Sequence, residues 1–280
     1  MHSTPSSAES SLEDWWVDYR NRTRHLDHPA DRVIAGVGHA DRLGWAFVAG
    51  YDGAMKQLAP HLGADERVSL CATEAHGVHP STISTAAIET DEGYEIIGDK
   101  IWSTLSDRAD SMLVLVTTGR DGDRNLLRMA HVRAADTRRE LMPETPFCPE
   151  IRHCEIRFDA VRVDALLPGD GWTDWIRPFR TIEDQFVALA TAVYVSRFGL
   201  DTAALVAALR ELIDADRDAP QTHLLLNDAF VTLRRLLVDI DWAGVAPDER
   251  ARFERDIPLL DIAERARIKR TQRAREQLEQ

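Results

Sequence analysis

Two periods divide the chain. From about residue 67 to residue 170, apolar positions alternate with polar ones or come in short unbroken runs, while on either side they recur every three to four residues. Tyr94-Glu95-Ile96-Ile97-Gly98, Ile101-Trp102-Ser103-Thr104 and Met112-Leu113-Val114-Leu115-Val116 have the β-branched, aromatic and apolar density of strands. Asp91-Glu92-Gly93 supplies the chemistry of a hairpin turn. Cys154 to Val163 alternates until Leu167-Pro168-Gly169-Asp170-Gly171-Trp172 breaks the pattern. The charged stretch Arg120 to Arg124 and the run Ala134 to Glu140 are predicted loops inside this β-region.

Ahead of it, Met1 to Ser11 reads as a polar arm. Leu12 to Arg24 follows as a helix with Trp15, Trp16 and Tyr19 on its apolar side, then Ala40 to Leu58, where Leu43, Phe47, Tyr51 and Met55 stand four apart. After Trp172 the helical period returns. Thr181 stands as a near capping box with Asp184, ahead of the apolar helix Phe186 to Phe198, and Asp201 caps a helix from Ala203 to Ala215. His223 to Trp242 carries Leu226, Phe230, Leu233, Leu237 and Ile240 at alternating steps of four and three, the spacing of a bundle helix. Pro247 and Asp248 open a short helix, Pro258 interrupts, and Leu259 to Gln280 closes the chain with a basic run, Arg265 to Arg275, that reads as a solvated helix face.

Composition narrows the classes. The 280 residues are 44% hydrophobic and 29% charged, ordinary for a globular protein, and the net charge of −13 argues against a nucleic acid partner. Cys71, Cys148 and Cys154 are too few for a disulfide framework, so free thiols in a reducing cytoplasm are expected. The longest apolar run, Phe186 to Val195, is about half a membrane span. Cys71 with His76 and His79, or Cys148 with His153 and Cys154, lack the spacing of metal sites, and no metal is expected. Hydrolase elbows, Walker segments and Gly-x-Gly-x-x-Gly turns are absent.

One stretch carries a resemblance. Leu70-Cys71-Ala72-Thr73-Glu74, then Gly98-Asp99-Lys100-Ile101-Trp102-Ser103-Thr104, then Ala109-Asp110 before an apolar strand, and finally Phe158-Asp159-Ala160-Val161-Arg162-Val163, follow one another as in the acyl-CoA dehydrogenase family. That resemblance implies an α+β fold: a short N-terminal helical region (1–66), a central antiparallel β-domain (67–170) and a C-terminal helical bundle (171–280). It also implies FAD along the seam between sheet and bundle, against Leu70, Ala72, Thr73, Trp102 and Thr104. The activity implied is oxidation of an acyl thioester across its α and β carbons.

Similar enzymes keep a catalytic Glu on the first bundle helix, and Glu183 in Glu183-Asp184-Gln185-Phe186-Val187-Ala188 matches that place. At a helix N-terminus the dipole would favour its carboxylate while burial opposes it. Ala75-His76-Gly77-Val78-His79-Pro80-Ser81 departs from the family's Pro-Gly-x-Gly-Ser, and no counterpart of its Gly-Gly-x-Gly-Tyr segment is found. Two alternatives therefore stand beside the enzyme: a non-catalytic partner subunit, and a protein binding acyl-CoA or an acyl carrier without flavin. In each, the resemblance implies a homo- or hetero-oligomer formed through the bundle.

Overall fold

The structure is a computed structural model that describes residues 11–280; the polar arm expected at Met1 to Ser11 otherwise lies outside the described residues. Ser11 itself caps the first helix, α1 (Leu12–Thr23), its hydroxyl accepting from the Asp14 N–H. Two more helices follow, α2 (Pro29–Val37) and α3 (Leu43–Leu58). The first of these escaped the sequence reading because its nine residues are too few to establish a period. In α3 the four-spaced row Leu43, Phe47, Tyr51, Met55 is only part of what is covered, since Trp45, Val48, Ala49 and Ala54 are buried as well. The helix is enclosed on nearly all sides, which an amphipathic pattern does not announce.

Eight strands form one sheet: β1 (Val68–Cys71), β2 (Ala86–Thr90), β3 (Gly93–Thr104), β4 (Ser111–Asp121), β5 (Arg124–Arg133), β6 (Arg138–Leu141), β7 (His153–Val163) and β8 (Leu166–Leu167). Their order is β6-β7-β3-β2-β4-β5-β8, with β1 also paired to β4. The ladders are antiparallel except that β1 and β2 both run parallel to β4, one after the other along the same edge. The expected loop at 120–124 is the tip of the β4–β5 hairpin. Most of the expected loop at 134–140 is instead a 3-10 turn running into β6, an exposed edge strand whose charged residues carry no apolar alternation.

Strand β4 explains the unbroken run at 112–116. Leu113 and Leu115 enter the core shared with the helices, while Met112, Val114 and Val116 enter a second core enclosed by the sheet with Ile96, Ile156 and Phe158. Both faces are dry, so both are apolar.

After a π-helical turn at Gly171–Ile176 come α4 (Arg177–Val195), α5 (Ala203–Asp214), α6 (Pro220–Val238), α7 (Pro247–Asp256) and α8 (Glu264–Leu278). The central helix α4 begins earlier than its apolar run suggests. Thr181 is thus buried inside the helix and caps nothing; Asp170 is the cap, accepting from the N–H groups of Trp172 and Thr173. Asp201 does accept from the Ala203 N–H at 3.3 Å. Against α4, helix α3 lies close because two of its glycines have no side chain: a Cβ at Gly50 would stand 2.9 Å from the Phe186 carbonyl oxygen, and one at Gly53 would stand 2.6 Å from the Phe186 ring. This contact fixes α4 over one face of the sheet. Among the described residues, no helix is long and apolar enough to cross a membrane.

Candidate functional site

The register of β3 against β7 decides where the site lies. Lys100 pairs with Ile156 and Ser103 with Cys154, so three steps along β3 answer two along β7. The extra residue is a bulge, and within it Trp102 adopts φ +55, a left-handed conformation costing a non-glycine residue about 1–2 kcal/mol. In an unbroken strand Lys100 and Trp102 would share a face. The bulge separates them: Lys100 is wholly buried, whereas Trp102 stays 46% exposed.

On the inner side, the Lys100 ammonium donates to Glu74 Oε1 at 2.7 Å. The same carboxylate accepts from the backbone N–H and hydroxyl of Ser84 and of Thr85, all within 3.0 Å. Burial alone would push the Glu74 carboxyl up, but the Lys100 charge and these donors outweigh it and hold the group down at about 2. Glu74 and Lys100 are therefore a satisfied internal ion pair tying the segment after β1 to β2 and β3.

On the other side a cleft of about 360 Å³ opens between the sheet and the helices. Thr73, Trp102 and Thr104 line its sheet wall, and Glu183, Asp184 and Val187 of α4 line the wall opposite. Phe47 of α3, Phe230 of α6, and Leu259 and Leu260 before α8 add apolar surface. The Trp102 indole meets His153 edge-on at 5.7 Å, and burial pushes the His153 imidazole below its ordinary value, towards the neutral form.

Four of the six candidates from the sequence thus meet at one cleft: Thr73, Trp102, Thr104 and Glu183. Leu70 and Ala72 do not line it. The Leu70 N–H donates to the Tyr51 hydroxyl at 2.8 Å, and the Ala72 carbonyl receives the Lys100 ammonium at 3.5 Å. His153, Phe47 and Arg267 reach the cleft without any local motif to mark them. Among the described residues no group of three or more His, Cys, Asp or Glu is arranged to hold a metal ion.

Glu183 and Asp184 are adjacent in sequence and different in circumstance. Glu183 lies seven residues into α4, too deep for the helix dipole to act on it as its place in the sequence suggested. It has no hydrogen-bond or ion-pair partner among the described residues. Burial pushes its carboxyl up to about 8, Asp184 adds to the rise, and Arg180 and Arg270 oppose it. Asp184, by contrast, is paired: Arg270 bonds one carboxylate oxygen, and Arg267 stands 3.5 Å from the other. The Arg267 guanidinium also lies 3.4 Å above the Phe230 ring. Asp184 is a tie between α4 and α8 rather than a cap. The basic run at 265–275 is correspondingly not a uniformly solvated face, because Arg267 and Thr271 are buried within it.

An antiparallel-dominated sheet, a helical bundle against it and a cleft in the seam define an acyl-CoA dehydrogenase fold, and solved structures carry the same architecture. Butyryl-CoA dehydrogenase from Megasphaera elsdenii matches with a TM-score of 0.65 at 16% identity, over 94% of this chain and 90% of that one. FMN-bound TdsC from Paenibacillus sp. A11-2 matches at 0.69 and 14%, over 93% and 90%, and PigA with FAD and proline at 0.62 and 12%, over 89% and 84%. No protein-family model and no curated protein matches the sequence. At such identities the likeness establishes the fold.

Proposed function

We propose that this chain is a flavin-dependent oxidoreductase that oxidises an acyl thioester across its α and β carbons, with Glu183 as the base. The observation that carries this reading is the cleft itself: an unpaired carboxylate on one wall faces an exposed indole and two hydroxyls on the other. The side chains suit a flavin ring. Trp102 offers an open aromatic face, Thr73 and Thr104 offer hydroxyl donors, and the volume falls within the ~300–1,000 Å³ of small-molecule and cofactor sites. The structural neighbours TdsC with FMN and PigA with FAD support a flavin, and FAD is the form we favour on the resemblance to the acyl-CoA dehydrogenase family.

Bound there, a flavin supplies the acceptor for the hydride from the β carbon. The chain's own part is to move the proton and to exclude water. The Glu183 carboxylate takes the α-proton, and a pKa of about 8 makes it a stronger base than an ordinary carboxylate while leaving a fraction ionised near neutrality. Val187, Phe230 and Leu260 form an apolar lining that keeps bulk water from the ionised group. His153, whose imidazole burial pushes below its ordinary value, meets the Trp102 ring edge-on.

We propose further that the chain works as an oligomer in the cytoplasm. Leu225, Val231 and Val238 leave apolar surface on α6 uncovered for a neighbouring subunit. The decisive test is absorbance. The purified chain is expected to show flavin bands, or to gain them on titration with FAD, and acyl-CoA is expected to bleach them. A chain that takes up no flavin loses the enzyme reading and becomes the acyl-carrier-binding or partner-subunit form of the same fold.

A further inference from the structure

The charges around Asp184 do not balance. Arg270 bonds one oxygen of its carboxylate, and Arg267 stands 3.5 Å from the other, at the outer limit of hydrogen bonding. Two guanidinium groups thus share one anion. Glu264, the other acid whose charge acts on Arg267, does not close the gap, because it receives Arg234 at 3.2 Å and Arg234 bonds Asp261 as well.

Of the two arginines, Arg267 is the less satisfied. It is 3% exposed, yet its bonds to Asp184 and to the Leu260 carbonyl are both 3.5 Å long, against ~2.9 Å for a well-made N–H···O bond. Burial weighs most against its cation, and the Arg234 and Arg270 charges add to that burden. A lysine so placed could shed its proton; a guanidinium keeps its charge and its five donors and has to find an anion. Stacking on Phe230 uses its face and leaves the edge that carries the N–H fork open.

That edge belongs to the cleft in the seam. Among the described residues, Arg267 is the one Arg or Lys in the cleft's lining, where it stands against the neighbour of Glu183 and is bordered by Phe230, Leu259, Leu260 and Ile262. We infer that the thioester accepted here carries a second anionic group, a carboxylate at the far end of its acyl chain, and that Arg267 receives it. The inference rests on the proposed function in one respect, that the cleft takes an acyl thioester. The methylenes of such a chain lie on the apolar residues, and its carboxylate meets the guanidinium fork where water is scarce and a charged pair is strong. It also evens the count, giving two cations two anions.

Binding, without turnover, tests this. The intact chain, with and without added FAD, is titrated calorimetrically with the mono-CoA thioesters of succinic, glutaric and adipic acids and with those of the equal-length monoacids, butyric, pentanoic and hexanoic. At least one diacid thioester is expected to bind about ten- to a hundredfold more tightly than its monoacid counterpart. Both members of a pair carry the same CoA, so the ratio reports the acyl end alone. Arg267→Gln is expected to bring the ratio close to one. Arg267→Lys, which keeps a charge without the fork, is expected to retain part of it. Each ratio is taken within one protein, so a general loosening of the cleft cancels, and circular dichroism checks that each variant is folded. Equal binding in all three pairs overturns the inference and leaves the oxidation reading standing, whereas a diacid preference in a chain that takes up no flavin does the reverse. A preference undiminished in both variants overturns the role of Arg267, and binding of none of the six thioesters overturns both readings.

Discussion

Glu74 and Glu183 are the same side chain in two neighbourhoods of one molecule, and they have opposite fates. Glu74 is enclosed with a cation at 2.7 Å and four further donors, and its carboxyl is held at about 2. Glu183 is enclosed at the edge of a cleft with no hydrogen-bond or ion-pair partner among the described residues, and its carboxyl is raised to about 8. The first is ionised near neutral pH and does structural work; the second is poised to exchange a proton. Burial is common to both, so the difference lies in whether the fold delivers compensating donors.

The comparison breaks most readily in turnover. Glu183→Gln keeps the volume and removes the base, and reduction by acyl-CoA is expected to fall about 10²–10⁴-fold with flavin uptake unchanged. Stopped-flow absorbance reads this, and an undiminished rate would reduce Glu183 to an idle buried acid. The same substitution strategy at the other site hits stability instead. Glu74→Ala leaves the Lys100 ammonium buried and alone, and chemical denaturation is expected to show a loss of about 3–5 kcal/mol. Replacing both partners, as Glu74→Leu/Lys100→Met, is expected to recover most of that loss; no recovery would mean the pair does more than neutralise itself.

The smallest effect is in pH. Glu183's folded-state pKa stands above its ordinary 4.5, so its contribution to stability is intact below pH 4.5 and is lost as pH rises through about 8. Glu183→Gln removes that loss. The variant is expected to melt above the parent at pH 8.5 and to match it near pH 4.5, each kcal/mol of relief moving Tm by about 2–4 °C. Glu74 has the reverse sign: its contribution is present above pH 4.5 and disappears as pH falls towards 2. Melting curves for the parent and both variants across this range separate the two carboxylates.

Much of the architecture was legible in the chain. The alternation from 67 to 170 and the helical periods around it depend on which positions each element buries, and one-sided burial leaves a mark in sequence. Elements without that mark were misjudged. Helix α2 is short, β6 is exposed along its length, and α4 begins well before its apolar stretch. At the site, Thr73, Trp102, Thr104 and Glu183, named from ordered motifs, line one cleft because segments of fixed spacing converge in this fold. Leu70 and Ala72 stand outside that lining, with the Leu70 N–H bonded to Tyr51 and the Ala72 carbonyl to Lys100.

The sequence by itself therefore determined the sheet, the bundle and the side chains available to the seam, because those follow from local period and residue type. Tertiary structure alone decided which carboxylate is neutralised, which indole is exposed and which guanidinium reaches the cleft. Those outcomes rest on one inserted residue in a strand register and on contacts between groups far apart in the chain, such as Glu74 with Lys100, 26 positions away, and Asp184 with Arg270, 86 positions away. No local pattern encodes a partner at that distance, and the charge state of a buried group is set by its partners.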